Sequence, residues 1–561
     1  MAVLQLRAPD SSAAPVRGLP RPAGATAAWF ALCVLLLSSA PLHVAMPLAS
    51  DAVLYDLQAQ TVLAGGVLYR DVFETNLPGI VWLHVAVRSL VGWSSEALRL
   101  VDLTIFGGLV WLVTRLLRRC EVSPAARATA AFALFACYLS VSEWCHCQRD
   151  TWMLLPALAA LGVRLRQAER LAGRRSSSRA IFAWSLVEGL LWAAAFWIKP
   201  FVAIPALACF VVSAWRAGRL RSTAFDASGL ICGGLAAGAA GILWLHGTGA
   251  WPFFLDTFLH WNPDYVAGGR SRWTLDRLYG MGYRLFPWIL IHAAAVPLAT
   301  FMLMRAIRGE RAPASVPGNR DPHAPRRPPA ILSAFYLGWL AQTLALQQPF
   351  DYIQIPPILL GVAVLAVSWR RLWPRPLVRL ATAAFVVLAA VSSPALKSDR
   401  LSGWGDCLTE GSTPRLRDRL AYLRTPSYTE LQPVADFLRT QHVGDGDVTC
   451  FHVHLIHLYP QLGIRPSTRY VGLEALRRLF PRQRATIDRT VAASGHRFVV
   501  ADLVEAGLSV AAARRIDAGG PLALPPDFPV SRRAEFPFDL PVVFRSGRYV
   551  VLADVSSNPL D

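Results

Sequence analysis

The sequence predicts a polytopic α-helical membrane protein with about eleven transmembrane helices and a C-terminal extracytoplasmic α/β or α+β domain. Hydrophobic residues make up 54% of the 561 positions and include 19 Trp, more than one soluble core needs. Apolar runs recur along residues 26–394 and then stop. From residue 395 to 561 helix and strand patterns alternate, which is typical of a folded domain outside the bilayer.

Most of the apolar runs are about 17 to 22 residues long, enough to cross a hydrocarbon core of roughly 30 Å. A basic leader rich in Pro and Ala, residues 1–25, precedes the first run. That run lacks a small-residue cleavage site, so we interpret it as a retained span rather than a signal peptide. The predicted spans are 26–46, 97–117, 126–143, 151–165, 181–198, 200–216, 226–246, 286–306, 330–346, 354–370 and 377–394.

Arginine clusters give the predicted orientation, because Lys and Arg in short loops stay on the cytoplasmic side. An even number of spans separates consecutive clusters, provided that the apolar segment 78–93 does not cross. Its length, Pro78 and Arg88 favour an interfacial or re-entrant helix. The N-terminus is then cytoplasmic and the C-terminal domain extracytoplasmic, as in a protein of the bacterial inner membrane. The clusters begin at Arg7, Arg115, Arg164, Arg216, Arg305 and Arg370.

The net charge of +19 follows from these clusters. They are spread over six cytoplasmic segments that face anionic membrane lipids. A nucleic-acid partner is not predicted, because no basic stripe with interleaved aromatic residues occurs.

The first exported loop (47–96) contains the most informative stretch, DAVLYDLQAQTVLAGGVLYRDVFETNLPG at residues 51–79. It places the Asp51 carboxylate at the outer mouth of a span, before an amphipathic helix and a Tyr-Arg-Asp turn. Ionisable groups at membrane depth are costly and usually mark a site. The predicted topology brings further polar groups to the same side: Asp56, Asp71, Glu74, Glu143, His146, Asp150, Lys199, Asp256, His260, Asp264 and Asp351.

Four segments resemble the GT-C membrane glycosyltransferases, the superfamily of protein O-mannosyltransferases and the lipid A aminoarabinose transferase (glycosyltransferase family 39 and its relatives). The first is the exported loop above, with an Asp after the first span and a Pro-containing turn at its end. The others are CQRDTWMLLPALAAL (147–161), WIKPF (197–201) and LQQPFDYIQIPPILLGVAVLA (346–366). Their order and common outer placement extend the resemblance across residues 26–394.

The resemblance implies an inverting transfer of a sugar from a polyprenyl-phosphate donor to an acceptor hydroxyl on a protein, lipid or glycan. Such a reaction needs a base, for which Asp51 is the candidate, and positive charge for the departing phosphate, for which Lys199 is the candidate. Asp150 is expected to orient the acceptor or Lys199, or to share a divalent metal ion with Asp51. Further candidates are Arg70 and Arg149 for the donor phosphate, and Tyr55, His260 and Tyr352 for the sugar.

Two positions depart from the family pattern. An acidic pair is common at the first position, whereas Ala52 follows Asp51 here. A Lys is common before the Pro of the first loop, whereas Leu77 precedes Pro78 here.

No cofactor is predicted with certainty, and a divalent metal ion is left open. Two Cys and His groups have the residue types of zinc ligands. Neighbouring positions at a helix end and alternate positions on a predicted strand nevertheless make poor ligand sets. These groups are Cys145-His146-Cys147 and the triplet His452, His454 and His457.

The C-terminal tail predicts a helix at 431–441, strands at 446–455 and 496–503, and a hairpin over 541–555. It resembles the exported domains of some bacterial GT-C enzymes, where it would gate the acceptor, contact cell-wall material or act as a structural cap. Cys407 and Cys450 fall in this tail, where the compartment permits a disulfide. Residues 309–329 are predicted as a cytoplasmic Pro-rich linker.

Two other classes of protein fit the span count. A transporter or lipid flippase predicts two related halves, broken helices and polar groups at the bilayer midplane. The sequence contains no internal repeat, and its acids lie at the outer ends of spans. A catalytically dead scaffold requires loss of the acids, yet Asp51 and Asp150 are present.

Overall fold

The computed structural model describes residues 23–172, 177–270, 272–308, 328–393, 397–423, 426–516, 519–521 and 540–553. Most of these residues are helical, and a small sheet lies near the C-terminus. The predicted leader (1–25) and linker (309–329) lie almost wholly outside the described residues. The predicted domain boundaries stay predictions.

Helices make up most of the first 393 residues. In chain order they are α1 (Ala23–Ala45), α2 (Ser50–Leu63), α3 (Gly79–Val91), α4 (Ser95–Arg119), α5 (Pro124–Ser140), α6 (Arg149–Ala172), α7 (Ser178–Ile198), α8 (Ala203–Ala217), α9 (Leu220–Gly247), α10 (Trp251–Asp256), α11 (Asn262–Arg270), α12 (Leu275–Arg284), α13 (Ile291–Ile307), α14 (Pro328–Leu346), α15 (Asp351–Leu372) and α16 (Pro376–Ser392). Short 3₁₀ turns lie at Glu143–Cys145, Pro200–Val202 and Trp288–Leu290, and a π-helical turn lies at Thr257–Trp261.

Among the described residues, eight helical segments are long and apolar enough to cross a membrane. They are α1, α4, α7, α9, α14, α15, α8 with its preceding 3₁₀ turn (Pro200–Ala217) and α13 with its preceding 3₁₀ turn (Trp288–Ile307). Helices α5 and α6 pass the same test only as a pair, which is bent by 119° at the break between them. Helix α16 has 17 residues and is shorter. Each predicted apolar run thus coincides with a helix, and the prediction of a polytopic α-helical membrane protein is confirmed. The number of eleven crossings stays a prediction.

The segment 78–93 forms the short helix α3 of 13 residues, about 20 Å long, too short to cross a bilayer. Asp56 of α2 links α2 to α3 through hydrogen bonds. Its Oδ1 accepts from Arg88 Nε at 2.8 Å and lies 2.9 Å from His84 Nδ1. Burial raises the pKa of Asp56, but the hydrogen bonds from His84 and Arg88 outweigh that effect and hold the pKa below its usual range.

Helices α7 and α9 pack backbone against backbone through glycines. A Cβ on Gly189 would collide with the carbonyl of Leu230, and a Cβ on Gly233 would collide with the carbonyl of Leu186. Gly229 lies one helical turn before Gly233 and is equally close to α7. This small-xxx-small spacing lets two membrane helices approach closely.

A buried charge cluster joins α6, α7 and α9. Arg164 Nε donates to Glu188 at 2.8 Å, and Arg164 Nη1 donates to Asp226 at 2.6 Å. All three side chains are almost fully buried. Ion pairs in such surroundings hold their partners because an unpaired charge would be costly there.

The C-terminal part folds around a mixed sheet. In the described residues its strands are β1 (Val448–Cys450), β2 (Phe498–Asp502), β3 (Gly520–Pro521), β4 (Pro541–Ser546) and β5 (Tyr549–Ala553), in the order β1-β2-β5-β4-β3. β1 and β2 are parallel, and the other neighbours are antiparallel. The helices around the sheet are α17 (Ser398–Leu401), α18 (Trp404–Thr409), α19 (Pro414–Leu420), α20 (Tyr428–Thr440), α21 (Leu458–Leu462), α22 (Leu473–Leu479), α23 (Arg484–Ala492) and α24 (Val510–Ala513).

The tail predictions are confirmed for the helix, for the second strand and for the β4–β5 hairpin. The strand predicted over 446–455 is wrong in its second half. β1 ends at Cys450, and Val453–His457 forms a 3₁₀ helix. His454, within the expected strand, and His457, just beyond it, therefore project from this helical turn. Cys407 and Cys450 are both free thiols.

Hydrogen bonds join the loop 47–96 to the C-terminal part. The amide of Phe73 donates to the carbonyl of Arg469 at 2.9 Å, and Arg469 Nη1 donates to the carbonyl of Tyr69 at 3.2 Å. Phe73 also packs against Trp261 and Tyr470, with ring centroids 4.5 and 5.7 Å away. The tail thus covers the loop that begins with Asp51.

Candidate functional site

Asp51 lies in the first turn of α2, where the helix dipole favours a carboxylate. Its Oδ2 accepts hydrogen bonds from Trp144 Nε1 at 3.2 Å and from Gln148 Nε2 at 3.0 Å. The Asp51 side chain is half-buried, and Gln148 is fully buried. Because both bonds fall on one oxygen, the carboxylate is oriented while its other oxygen is left for a ligand.

The break between α5 and α6 supplies both of these donors and is itself fixed by Asp102 of α4. Asp102 Oδ1 accepts from the Cys147 amide at 3.0 Å and from Trp152 Nε1 at 2.7 Å. The Tyr138 hydroxyl donates to Asp102 Oδ2 at 2.7 Å. Cys147 has a φ of +54°, a strained backbone for a residue other than Gly, and these bonds stabilise it.

Asp150 and Lys199 form a buried ion pair across the same cavity. Lys199 Nζ donates to Asp150 Oδ1 at 2.7 Å and also to Gln347 Oε1. Exposure is 1% for Asp150 and 4% for Lys199. Lys199 follows the last residue of α7, whose end packs so closely on the start of α3 that only a Gly fits at position 79.

Arg149 is the least satisfied group of the site. It is 5% exposed, and its Nε and Nη1 are buried without a hydrogen-bond partner. The nearest carboxylate oxygen, Asp150 Oδ2, lies 3.9 Å from Nε, too far for a hydrogen bond. Buried guanidinium nitrogens without hydrogen-bond partners lower the stability of the protein unless a ligand accepts their hydrogen bonds.

Three tyrosines lie within electrostatic range of Arg149, namely Tyr55, Tyr265 and Tyr352. Tyr55 and Tyr352 are buried, and both also sense the charge of Asp51. Burial raises the pKa of Tyr55 well above its usual range, and the positive charge of Arg149 opposes the shift only partly. The Tyr55 phenol therefore stays protonated and can donate a hydrogen bond to a ligand oxygen.

The structure brings together most, but not all, of the predicted site residues. Asp51, Tyr55, Arg149, Asp150, Lys199 and Tyr352 converge. Arg70 is half-exposed and donates to its neighbour Asp71 at 2.7 Å, and exposed His260 lies 2.9 Å from Asp256. These two pairings are local, and the roles of Arg70 and His260 stay predictions.

A metal ion finds no suitable ligand set at this site. Within the described residues, no group of three or more His, Cys, Asp and Glu side chains is arranged to hold one. Asp150 is neutralised by Lys199, and Asp51 already accepts two N–H donors. His146, of the Cys-His-Cys sequence, is bonded through Nε2 to the Tyr138 carbonyl at 2.7 Å. We therefore assign no step to a metal.

Sequence reasoning missed the neutral residues that hold the charged ones. Trp144 and Gln148 orient Asp51 by hydrogen bonds. Gln347 accepts a hydrogen bond from Lys199, and Tyr265 lies within electrostatic range of Arg149. Trp and Gln carry no charge, so nothing in a single sequence distinguishes them from ordinary residues of a span end. Their nearness to the acidic position 150 and to the LQQPF segment was the available signal.

Comparison with known proteins gives the fold of the chain. No family model matches it, and no curated protein matches it in sequence. The crystal structure of ArnT from Cupriavidus metallidurans bound to undecaprenyl phosphate aligns with a TM-score of 0.55 and 15% identity over 96% of this chain and 99% of that one. The apo structure of the same ArnT aligns with a TM-score of 0.53 and 14% identity over 95% and 99%.

A third structure, the apo oligosaccharyltransferase of Archaeoglobus fulgidus, aligns over 85% of this chain and 70% of that one at 12% identity. Its TM-score of 0.43 is too low to support an argument. The ArnT alignments run nearly end to end and include both the helical part and the C-terminal domain. The chain therefore has the fold of ArnT, in agreement with the fold that the four sequence segments predicted.

Proposed function

We propose that this chain is an integral-membrane glycosyltransferase that moves a sugar from a polyprenyl-phosphate donor to an acceptor hydroxyl on the extracytoplasmic face. The observation that carries the proposal is the buried guanidinium of Arg149, whose Nε and Nη1 have no hydrogen-bond partner. Arg149 and the Asp51 carboxylate both lie within electrostatic range of Lys199. This arrangement suits a phosphate next to a base. The ArnT structure of the same fold is bound to undecaprenyl phosphate, which supports the same class of ligand.

In the proposed reaction the acceptor oxygen attacks the anomeric carbon of the donor sugar. The new C–O bond forms as the bond between that carbon and the phosphate oxygen breaks, and the polyprenyl phosphate leaves with the bonding electrons. Asp51 takes the hydroxyl proton, a contribution of typically about 10² to 10⁴ in rate. Attack opposite to the leaving group inverts the anomeric configuration.

Positive charge lies where the leaving phosphate needs it. Arg149 has two nitrogens, Nε and Nη1, that are free to donate hydrogen bonds to phosphate oxygens. Lys199 adds a point charge, held in place by Asp150 and Gln347. Tyr55 and Tyr352 are placed to contact the sugar. The acceptor is a hydroxyl of a protein, lipid or glycan.

The proposal includes the predicted placement in the membrane. The N-terminus is cytoplasmic, the domain 395–561 is extracytoplasmic, and the membrane is the bacterial inner membrane. In this arrangement the transmembrane part (26–394) carries the reaction, and the prenyl chain lies against its apolar surface.

The experiment measures sugar transfer from a pool of radiolabelled polyprenyl-phosphate sugars in membranes that contain the wild-type chain or Asp51→Asn at matched expression. Asn keeps an acceptor oxygen for Trp144 and Gln148, so the variant loses the base and retains the local hydrogen bonds. We expect transfer to fall by about 10² to 10⁴ while donor binding persists. Undiminished transfer would remove Asp51 as the base. Failure of the wild type to consume any donor would favour a transporter or flippase.

A further inference from the structure

The end of α4 opposite to the candidate site carries a basic cleft of about 660 Å³. Trp111, Thr114, Arg115 and Arg118 share one face of α4, and Arg119 and Arg127 complete the lining. Arg118 follows Arg99, at the site end of α4, by 19 residues. At 1.5 Å per helical residue the two are about 28 Å apart, close to the thickness of a hydrocarbon core. The cleft thus belongs to the other membrane face.

The arginines of the cleft have no acidic partner among the described residues. The side chains of Arg115, Arg118, Arg119 and Arg127 form no hydrogen bond or ion pair within that part of the chain. Arg119 Nη1 and Arg127 Nε are moreover buried without a hydrogen-bond partner. Leaving a buried donor unsatisfied costs free energy, so these two atoms indicate a ligand with acceptor oxygens.

The surrounding charges favour an anion. Arg166 of α6 and Arg115 both lie within electrostatic range of Arg119, together with the single carboxylate of Glu169. Glu121 occupies the exposed turn between α4 and α5. The cleft and its surroundings therefore hold five arginines and two carboxylates. An anion with several oxygens reduces the repulsion among the arginines.

Trp111 distinguishes a lipid from a soluble anion. Its side chain is 56% exposed, and the Arg115 guanidinium lies 5.1 Å from the centroid of the ring. Trp111 precedes Arg118 by seven residues, about 10 Å along α4, so its exposed ring lies at the depth of the lipid tails, just below the headgroup level of the arginines. A ligand held at this level by arginines has its phosphate in the cleft and its tails beside α4.

We propose that the α4–α5 cleft, lined by Trp111, Thr114, Arg115, Arg118, Arg119 and Arg127, binds the phosphate headgroup of an anionic phospholipid on the membrane face opposite to the candidate site. This lipid site is separate from the proposed donor site. Its existence does not depend on the glycosyltransferase function.

The test is a titration of the purified full-length protein in detergent with phosphatidylglycerol or phosphatidylcholine, read by native mass spectrometry. The variants are Arg118→Gln, which alters one exposed side chain, and the double Arg118→Gln/Arg127→Gln. The matched control is Arg216→Gln/Arg221→Gln, which removes the same charge from another cluster of the predicted cytoplasmic side. Thermal unfolding of each protein verifies the fold.

We expect phosphatidylglycerol to bind at least about tenfold more weakly to the double variant and less than about twofold more weakly to the control. Arg118→Gln should give an intermediate loss, and phosphatidylcholine should bind weakly throughout. Equal losses in the double variant and the control would overturn the proposal in favour of a general surface charge. Displacement of the lipid by inorganic phosphate at equal concentration would overturn it in favour of a soluble ligand.

Discussion

Replacing Lys199 by Met leaves the buried carboxylate of Asp150 without its positively charged partner. Asp150 is 1% exposed, its Oδ1 loses the 2.7 Å ion pair, and its Oδ2 has no hydrogen-bond partner to begin with. Removing one member of a buried ion pair typically costs about 3 to 5 kcal/mol. Arg149 Nε, 3.9 Å from Oδ2, offsets part of the loss, so we expect about 3 kcal/mol for Lys199→Met.

The reverse change, Asp150→Asn, should cost more, about 4 to 5 kcal/mol, because it leaves Lys199 buried beside the positive charge of Arg149. The double variant Lys199→Met/Asp150→Asn removes both charges together and should cost only about 1 kcal/mol. These costs correspond to a coupling of about 6 to 7 kcal/mol between the two residues. Denaturant unfolding of the detergent-solubilised protein, followed by tryptophan fluorescence, measures all four proteins of this cycle.

Sugar transfer separates the structural role of the pair from its chemical role. In the double variant we expect stability near that of the wild type together with transfer reduced by at least about 10², because the charge proposed to contact the donor phosphate is missing. Single-variant costs that add within about 0.5 kcal/mol would refute the coupling. Recovery of transfer in the double variant would show that the pair only supports the fold.

Three further predictions concern packing, orientation and protonation. Gly233→Ala should destabilise the protein by about 1 to 3 kcal/mol in the same unfolding assay, because its Cβ collides with the backbone of α7. Gln148→Leu removes a charge-assisted hydrogen bond of 3.0 Å to the candidate base and should reduce kcat by about tenfold to a hundredfold. Burial lowers the pKa of His452 and of His457 to about 3, below the unfolded value near 6.5. The domain is therefore most stable above pH 6.5, and each His should lower the free energy of unfolding by about 2 kcal/mol between pH 7 and pH 5. Hydrogen exchange of the C-terminal domain measures this change.

Each of these predictions has a control within the chain. Gly234 has open space around its Cβ position, so Gly234→Ala should leave stability unchanged, and equal effects at 233 and 234 would exclude the packing argument. Unchanged kcat in Gln148→Leu would show that the Asp51 carboxylate needs no orienting amide. His457→Leu should reduce the pH dependence by about half, whereas His442→Gln, at an exposed position, should preserve it.

The sequence predicted the class of fold because membrane spans have a strong local signature. Apolar length located the helices, and the length of segment 78–93 together with Pro78 and Arg88 favoured an interfacial or re-entrant helix at α3. The 3₁₀ turn at Val453–His457 was not predictable in this way. Alternating apolar and polar residues there mimic a strand, while the actual turn is stabilised by long-range contacts such as that of His454 Nε2 with Asp502 at 2.8 Å.

The charged part of the site was predictable for a related reason. An ionisable residue at a span end is unusual enough to be noticed singly, and this holds for Asp51, Asp150 and Lys199. Pairing is different, because it depends on which helix ends meet in space. Arg70 and His260 satisfy the same compositional rule, yet each is paired with a neighbour in its own loop.

Arg149 is predicted to lower the stability of the ligand-free protein and to strengthen the binding of a phosphate ligand. Its unpartnered nitrogens penalise the ligand-free protein, so Arg149→Met, with similar length and no charge, should leave stability unchanged or raise it by about 1 kcal/mol. In the proposed function, a phosphate ligand would offset this penalty in the wild type. Undecaprenyl phosphate at 100 times its Kd should stabilise the wild type by about 2.7 kcal/mol and the variant far less. Thermal unfolding with and without the lipid measures both effects. Equal stabilisation of the two proteins would place the phosphate away from Arg149.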